Sequence, residues 1–194
     1  MISAIVLAAG EAKRFGQLKQ LALIGETTML EQVLDAVSRS RAEDVVVVLG
    51  AGSDEIRHRV SFAAERIVVN PEYASGLSSS LQAGLRALPE GADGALMVLA
   101  DQPFVTTATI DSLIGEFIRK SPEAAVPTFR GARGNPVLLN RSVFDEVMAL
   151  RGDTGFRSVL TDPGRNILEV PVDDPGILRD IDTREEFDRT RGQL

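Results

Sequence analysis

The chain has 194 residues, 44% hydrophobic and 25% charged, a balance that supports a buried core and fits one domain at roughly 100 to 200 residues per domain. Its 28 acidic against 21 basic residues leave a formal net charge of −7, which disfavours broad capture of nucleic acid or an anionic membrane surface. With no cysteine and one histidine, His58, disulfides, thiol nucleophiles, zinc ribbons, iron–sulfur ligation and His-rich metal sites are excluded.

In chain order, short Val/Ile/Leu-rich runs recur at residues 4–7, 45–49, 67–69 and 95–99. Each is followed by Gly, Asn or Asp and then an amphipathic stretch, the alternation of βα units around a parallel sheet. The opening MISAIVLAAG has no basic segment before its apolar run and does not read as a signal peptide, so a cytoplasmic location is expected. Runs such as 45–49 and 95–100 have the length of buried strands and fall far short of the roughly 20 residues a membrane helix needs.

Leu30, Val33, Leu34 and Val37 repeat at helical spacing with Thr27 or Thr28 available as cap; Leu81, Leu85 and Leu88 repeat likewise. Ile110, Leu113, Ile114, Phe117 and Ile118 form the clearest apolar helix stripe. After Pro122 the pattern loosens into strands near 125–126, 137–139 and 167–170, a turn FRGARGNP, and a helix over 142–150. This part reads as an insertion covering one side of the sheet. In the tail DIDTREEFDR, Thr183 and Glu186 have the spacing of a capping box.

The segment 7–19, LAAGEAKRFGQLK, follows the first strand and joins a Gly-containing loop to three cations, Lys13, Arg14 and Lys19, a composition suited to a polyphosphate or to a solvated basic turn. It is not a P-loop, because Gly16 is followed by Gln17. Residues 50–55, GAGSDE, lack the third glycine of a dinucleotide fingerprint and place two carboxylates where a pyrophosphate would sit; they read as a strand-to-helix turn capped by Ser53. Asp101 follows a very apolar strand, where an aspartate either holds Mg²⁺ at the sheet rim or closes a turn before Pro103. Residues 76–81 combine a glycine with three serines before an apolar helix, which permits close backbone approach and supplies hydroxyls, with Ser79 an ordinary helix-start residue. His58 lies in a polar stretch and reads as a surface helix residue.

The signature LAAG-x-x-x-RFG-x-x-KQL resembles that of the molybdenum cofactor cytidylyltransferases and the wider MobA-like nucleotidyltransferases. Asn70 with GLSSSL at 76–81, LADQP at 99–103, RGNPV at 133–137, GDTG at 152–155 and DIDT at 180–183 fall in the same order as in that family. The resemblance implies an α/β, Rossmann-like nucleotidyltransferase fold with a mostly parallel sheet flanked by helices. It further implies a single domain, with nucleotide binding in about residues 1–121 and acceptor binding plus a C-terminal cap in about 122–194.

On the same resemblance, Arg14, Lys19 and Asp101 are the expected catalytic residues. Leu7, Ala8, Ala9, Gly10, Asn70, Gly76, Ser78 and Ser80 join them around an NTP, Arg133, Asn135 and Asp153 meet the acceptor, and Mg²⁺ lies on Asp101 and Asp182, with Asp180 the neighbour most easily confused with the second ligand. Arg130 is a further cation available to an acceptor phosphate. LAAG with KQL looks like the cytidylyltransferase branch, which makes CTP and molybdopterin the first substrates and a molybdoenzyme or its chaperone the implied protein partner. The alternatives are a sugar-phosphate acceptor, or a nucleotide-binding or oxidoreductase protein that transfers nothing.

Overall fold

The computed structural model describes residues 1–11 and 15–191, with the side chains of Arg157, Thr190 and Arg191 left aside. The strands are β1 (Ile2–Ala8), β2 (Leu23–Ile24), β3 (Thr27–Thr28), β4 (Asp44–Leu49), β5 (Arg66–Val69), β6 (Gly94–Leu99), β7 (Ala124–Phe129), β8 (Ala132–Arg133), β9 (Val137–Asn140) and β10 (Ile167–Pro171). The α-helices are α1 (Met29–Ser38), α2 (Ser53–Arg59), α3 (Leu77–Arg86), α4 (Thr107–Lys120), α5 (Phe144–Ala149) and α6 (Arg184–Arg191). An 8-stranded sheet runs in the order β10-β7-β9-β6-β1-β4-β5, with β8 paired to β7.

β1 lies parallel between β4 and β6, with Val6 opposite both Val47 and Val98. All of β1 is buried, as expected of a central parallel strand covered on both faces. Alternation along it divides the core. Ala4, Val6 and Ala8 pack toward α1, α4 and Ile56 of α2, while Ile5 and Leu7 pack toward α3 and α5. The chain leaves β1 toward β4 and β5 on one side and later returns to β6 on the other, so the strand order reverses at β1. In open α/β sheets that reversal opens a crevice beyond the carboxyl ends of the strands.

The half after Pro122 is no insertion laid over the sheet: it extends the sheet itself. β9 pairs antiparallel with β6 and β7, and β10 pairs parallel with β7. The expected 142–150 helix is a 3₁₀ turn, Arg141–Val143, continuing into α5. In the α4 stripe Ile118 is 59% exposed, because Ile114 and Phe117 already fill the buried face. Ser53 is the first residue of α2 and not its cap; Gly52, at φ 65°, holds that place without a side-chain bond. A Cβ on Gly52 would sit 2.4 Å from the Leu18 side chain, so the glycine serves both the left-handed turn and the close approach.

Capping follows the sequence more closely. Thr28 accepts from Glu31 N while the Glu31 carboxylate accepts from Thr28 N. In the tail Glu186 accepts from Thr183 N at 3.0 Å and Thr183 Oγ1 accepts from Glu186 N at 3.2 Å, which is the expected capping box. Phe187 of α6 packs edge-on against Phe15, with ring centroids 5.6 Å apart, in a small core with Ile24, Met29 and Ile181. The tail is thereby fixed against the loop that follows β1.

Candidate active site

Two adjoining cavities open at the carboxyl end of the sheet. The first, about 580 Å³, is bounded by residues 7–11 at the end of β1 and the start of the following loop, by Tyr73, Gly76, Leu77 and Ser80, and by Lys19, Asp101, Asp153 and Asp182. The second, about 510 Å³, is bounded by Gln102, Arg133, Asn135, Phe156, Ile177 and Asp180, among others. Leu77, Leu99 and Asp101 line both. Asp101 therefore stands where the two spaces meet.

Asp101 reaches this rim because β6 ends at Leu99. The tail follows it there through Ile181 N, which donates to the Asp101 carbonyl at 2.9 Å. Asp182, the next residue, lies beside Asp101, whereas Asp180 faces the second cavity; of the two candidates for a second ligand, Asp182 is the one brought to Asp101. Lys19 links the pair: Nζ donates to Asp101 Oδ2 at 2.7 Å and to Asp182 Oδ1 at 2.9 Å. Burial pulls the Lys19 pKa down, but the attraction of Asp101 and Asp182 outweighs it, and the net direction is up. The ammonium stays charged.

The loop after β1 is held by Gln20, whose buried amide donates to the carbonyls of Ala8 at 2.9 Å and Gly10 at 3.1 Å. Arg14 and Lys13 lie outside the described residues. Asn70 and Ser78 are buried and are absent from the cavity wall; they fix its shape. The Asn70 amide donates to Ser79 Oγ at 2.8 Å and Ser80 Oγ at 3.0 Å, and Ser78 N donates to the Gly152 carbonyl at 3.1 Å. Ser79, expected to be bland, shares this network. Gly76, at φ 111°, presses on the Gly152–Asp153 backbone so closely that a Cβ would lie 2.3 Å from the Gly152 carbonyl carbon. GLSSSL and GDTG thus meet across the fold, and Asp153, expected on the acceptor side, lines the first cavity.

At the second cavity the Arg133 guanidinium is paired with Glu169 at 2.7 Å; Arg130 is not part of its wall and stacks over Phe129, 5.0 Å from the ring centroid. Asn135 is 1% and Gln102 5% exposed. Neither polar atom of the Asn135 amide, nor Gln102 Oε1, nor Asp101 Oδ1, finds a hydrogen-bond partner among the described residues. Buried polar groups are ordinarily satisfied, so these orphans at the cavity wall leave hydrogen-bonding capacity for a bound molecule. The sequence reading missed Gln102 and Gln20; the signal available was a polar residue inside each of the otherwise apolar or turn-forming words DQP and KQL.

Among the described residues no group of three or more His, Cys, Asp or Glu side chains is placed to hold a metal ion. Asp101 and Asp182 bring two carboxylates to one ammonium, and the buried Asp101 Oδ1, unpartnered among the described residues, fits a hard cation there. Two protein carboxylates are the usual share for Mg²⁺, which keeps waters and takes its other oxygens from substrate phosphates. Among the described residues no helix is long and apolar enough to cross a membrane.

The sequence matches the MobA-like NTP transferase domain over residues 4–168. It is 33% identical to the purine catabolism protein PucB of Bacillus subtilis, covering 96% of this chain and 94% of that one. It is 28% identical to nicotine blue oxidoreductase of Paenarthrobacter nicotinovorans (97% and 95%) and 25% identical to the molybdenum cofactor cytidylyltransferase of Escherichia coli (96% and 93%). The crystal structure of Rv0371c from Mycobacterium tuberculosis in complex with manganese superposes with a TM-score of 0.87 at 27% identity, covering 100% of this chain and 99% of that one. With the match running from β1 into β10 and taking in Asp101 at the junction of the cavities, the chain belongs to the MobA-like NTP transferase family and is a nucleotidyltransferase.

Proposed function

We propose that the protein transfers CMP from CTP to the phosphate of a small acceptor of the molybdopterin kind and releases pyrophosphate, with Mg²⁺ held by Asp101 and Asp182. The observation that carries this reading is the position of Asp101: it is shared by two cavities, one edged by the loop after β1 and one edged by buried amides, as a transfer between two bound molecules requires. Mg²⁺, when bound, neutralises charge on the phosphates being rearranged. The manganese complex of Rv0371c supports a divalent cation in this fold.

The chain's own residues do the positioning. Backbone at residues 7–10, with Lys19 and, on the signature, Arg14, receives the triphosphate. Ala8, Ala9, Gly76, Leu77 and Ser80 form a close wall for the base, with Asn70 and Ser78 bracing that wall. An oxygen of the acceptor phosphate bonds to the α-phosphorus while the bond from that phosphorus to its bridging oxygen breaks, the electron pair leaving with pyrophosphate. No protein nucleophile is needed, so catalysis is alignment and charge neutralisation.

The second cavity takes the acceptor. Among the described residues Asn135 offers a free donor and a free acceptor and Gln102 a free acceptor, and Arg133 is already paired with Glu169. Beyond the phosphate that either acceptor carries, that set suits the lactam edge of a heterocycle better than the hydroxyls of a sugar. The two-part division, nucleotide chiefly on residues 1–121 and acceptor chiefly on 122–194, is kept with two amendments: Asp153 belongs to the nucleotide wall and Gln102 to the acceptor cavity. A cytoplasmic setting and delivery to a molybdoenzyme or its chaperone belong to the same proposal.

The oxidoreductase relative favours one second reading, in which the crevice holds a redox substrate or cofactor. Thermal unfolding separates the two. CTP with Mg²⁺ raises the melting temperature more than GTP does, because a close wall admits the pyrimidine and excludes the larger ring, and NAD(P) leaves it unchanged; stabilisation by NAD(P) with none by either nucleotide overturns the transferase reading.

A further inference from the structure

Lys19 occupies the place where a cation would be expected. Its Nζ lies within hydrogen-bond distance of one oxygen from each of Asp101 and Asp182, and the three side chains are 15%, 22% and 30% exposed. Two half-buried carboxylates within reach of one atom repel each other, and burial weakens the screening that would relieve them. An ammonium with three donors relieves them directly, and Nζ stands 2.7 Å from Asp101 Oδ2 and 2.9 Å from Asp182 Oδ1.

The backbone of Lys19 is fixed. Residues Lys19–Leu21 form a 3₁₀ turn, Leu21 N donates to Leu18 O and Ala22 N to Lys19 O, both at 3.0 Å, and the neighbouring Gln20 amide is bolted to the loop after β1. Only side-chain torsions can move the ammonium, and the space beside it is the first cavity, which Lys19 shares with Ala9 and Gly10.

We propose that Lys19 is the resident counterion of the Asp101–Asp182 pair and competes with a divalent cation for it, so that a bare cation binds weakly until the phosphates of a nucleotide receive the lysine. This rests on the reading of Asp101 and Asp182 as the metal site. A bare cation meets two carboxylates already satisfied in part by an ammonium and, among the described residues, no third acidic or His ligand. A nucleotide supplies both the missing oxygens and a new partner for Lys19, which makes the two bindings reciprocal.

The test is calorimetric or paramagnetic titration of the full chain with Mn²⁺ alone. Lys19→Met keeps the aliphatic stem and removes the charge; it binds Mn²⁺ about tenfold more tightly than the wild type or better, the factor that one charge-assisted bond commands, and the double variant Lys19→Met/Asp101→Asn loses the gain. Lys19→Gln, a second neutral side chain, shows the same direction if the Met variant unfolds. Equal or weaker Mn²⁺ binding by Lys19→Met, with Asp101→Asn still abolishing it, overturns the competition and leaves the metal site standing. Mn²⁺ binding indifferent to Asp101→Asn in either background overturns both.

Discussion

Ile181 N donates to the carbonyl oxygen of Asp101 at 2.9 Å, joining positions 80 residues apart. That bond delivers Asp182 to the sheet rim, and the packing of α6 holds it there. Phe187→Ala empties a 2% exposed aromatic position and should cost about 3–5 kcal/mol. Thermal unfolding reads the loss. Recovery of most of that stability by Phe187→Leu identifies packing as its source.

Gly76→Ala tests the approach of GLSSSL to GDTG. A Cβ would lie 2.3 Å from the Gly152 carbonyl carbon in a backbone at φ 111°, so the loop must shift, at about 1–3 kcal/mol for the strained conformation alone. The expected result is weaker CTP binding by calorimetry together with a lower melting temperature.

Asp174 gives the fold an acid limit. Its Oδ2 accepts from Thr106 N at 2.9 Å, Thr106 Oγ1 at 2.8 Å and Thr109 Oγ1 at 2.7 Å, and its Oδ1 accepts from Gly176 N at 2.9 Å. Burial pushes its pKa up, these bonds outweigh it, and the net direction is below the ordinary value of 3.8. The unfolded chain thus binds this proton more readily than the folded one. The stabilisation is fully present above the ordinary value and is lost as pH falls through the lowered folded value. Asp174→Asn should cost about 1.5–3 kcal/mol at neutral pH and flatten the fall in stability on acidification, measured by denaturant unfolding at several pH values.

Asn135→Ala and Gln102→Ala remove the amides of the second cavity. Each should raise the KM for the acceptor by about tenfold, the worth of one hydrogen bond of ~1.4 kcal/mol, with CTP affinity unchanged. Arg133→Ala should leave the acceptor KM nearly unaltered, because its guanidinium is engaged by Glu169. Steady-state kinetics with each substrate varied in turn separates these outcomes.

The central strands were legible because each reads as a continuous apolar run closed by Gly, Asn or Asp; that pattern left Asp101 between a metal ligand and a turn residue, and the resemblance of LADQP singled it out. The Thr183–Glu186 box is a local pattern and was read from its spacing. Periodicity shows that residues 137–139 form a strand; it carries no information on partners, and so the antiparallel seat of β9 between β6 and β7 was missed. The same limit hid the contact of Gly76 with Gly152 that moves Asp153 to the first cavity, and the Glu169 pair that occupies Arg133. Asn135 was named from its motif, yet the lack of partners for its amide and for Gln102 Oε1 among the described residues is a property of the folded interior.

The most direct test is pyrophosphate release from CTP and molybdopterin with Mg²⁺, comparing the wild type with Asp101→Asn. The variant keeps the size of the side chain and should fold with a similar melting temperature while its kcat/KM falls at least a hundredfold, about 2.7 kcal/mol of transition-state stabilisation. A folded Asp101→Asn protein that turns over CTP at the wild-type rate would contradict the account.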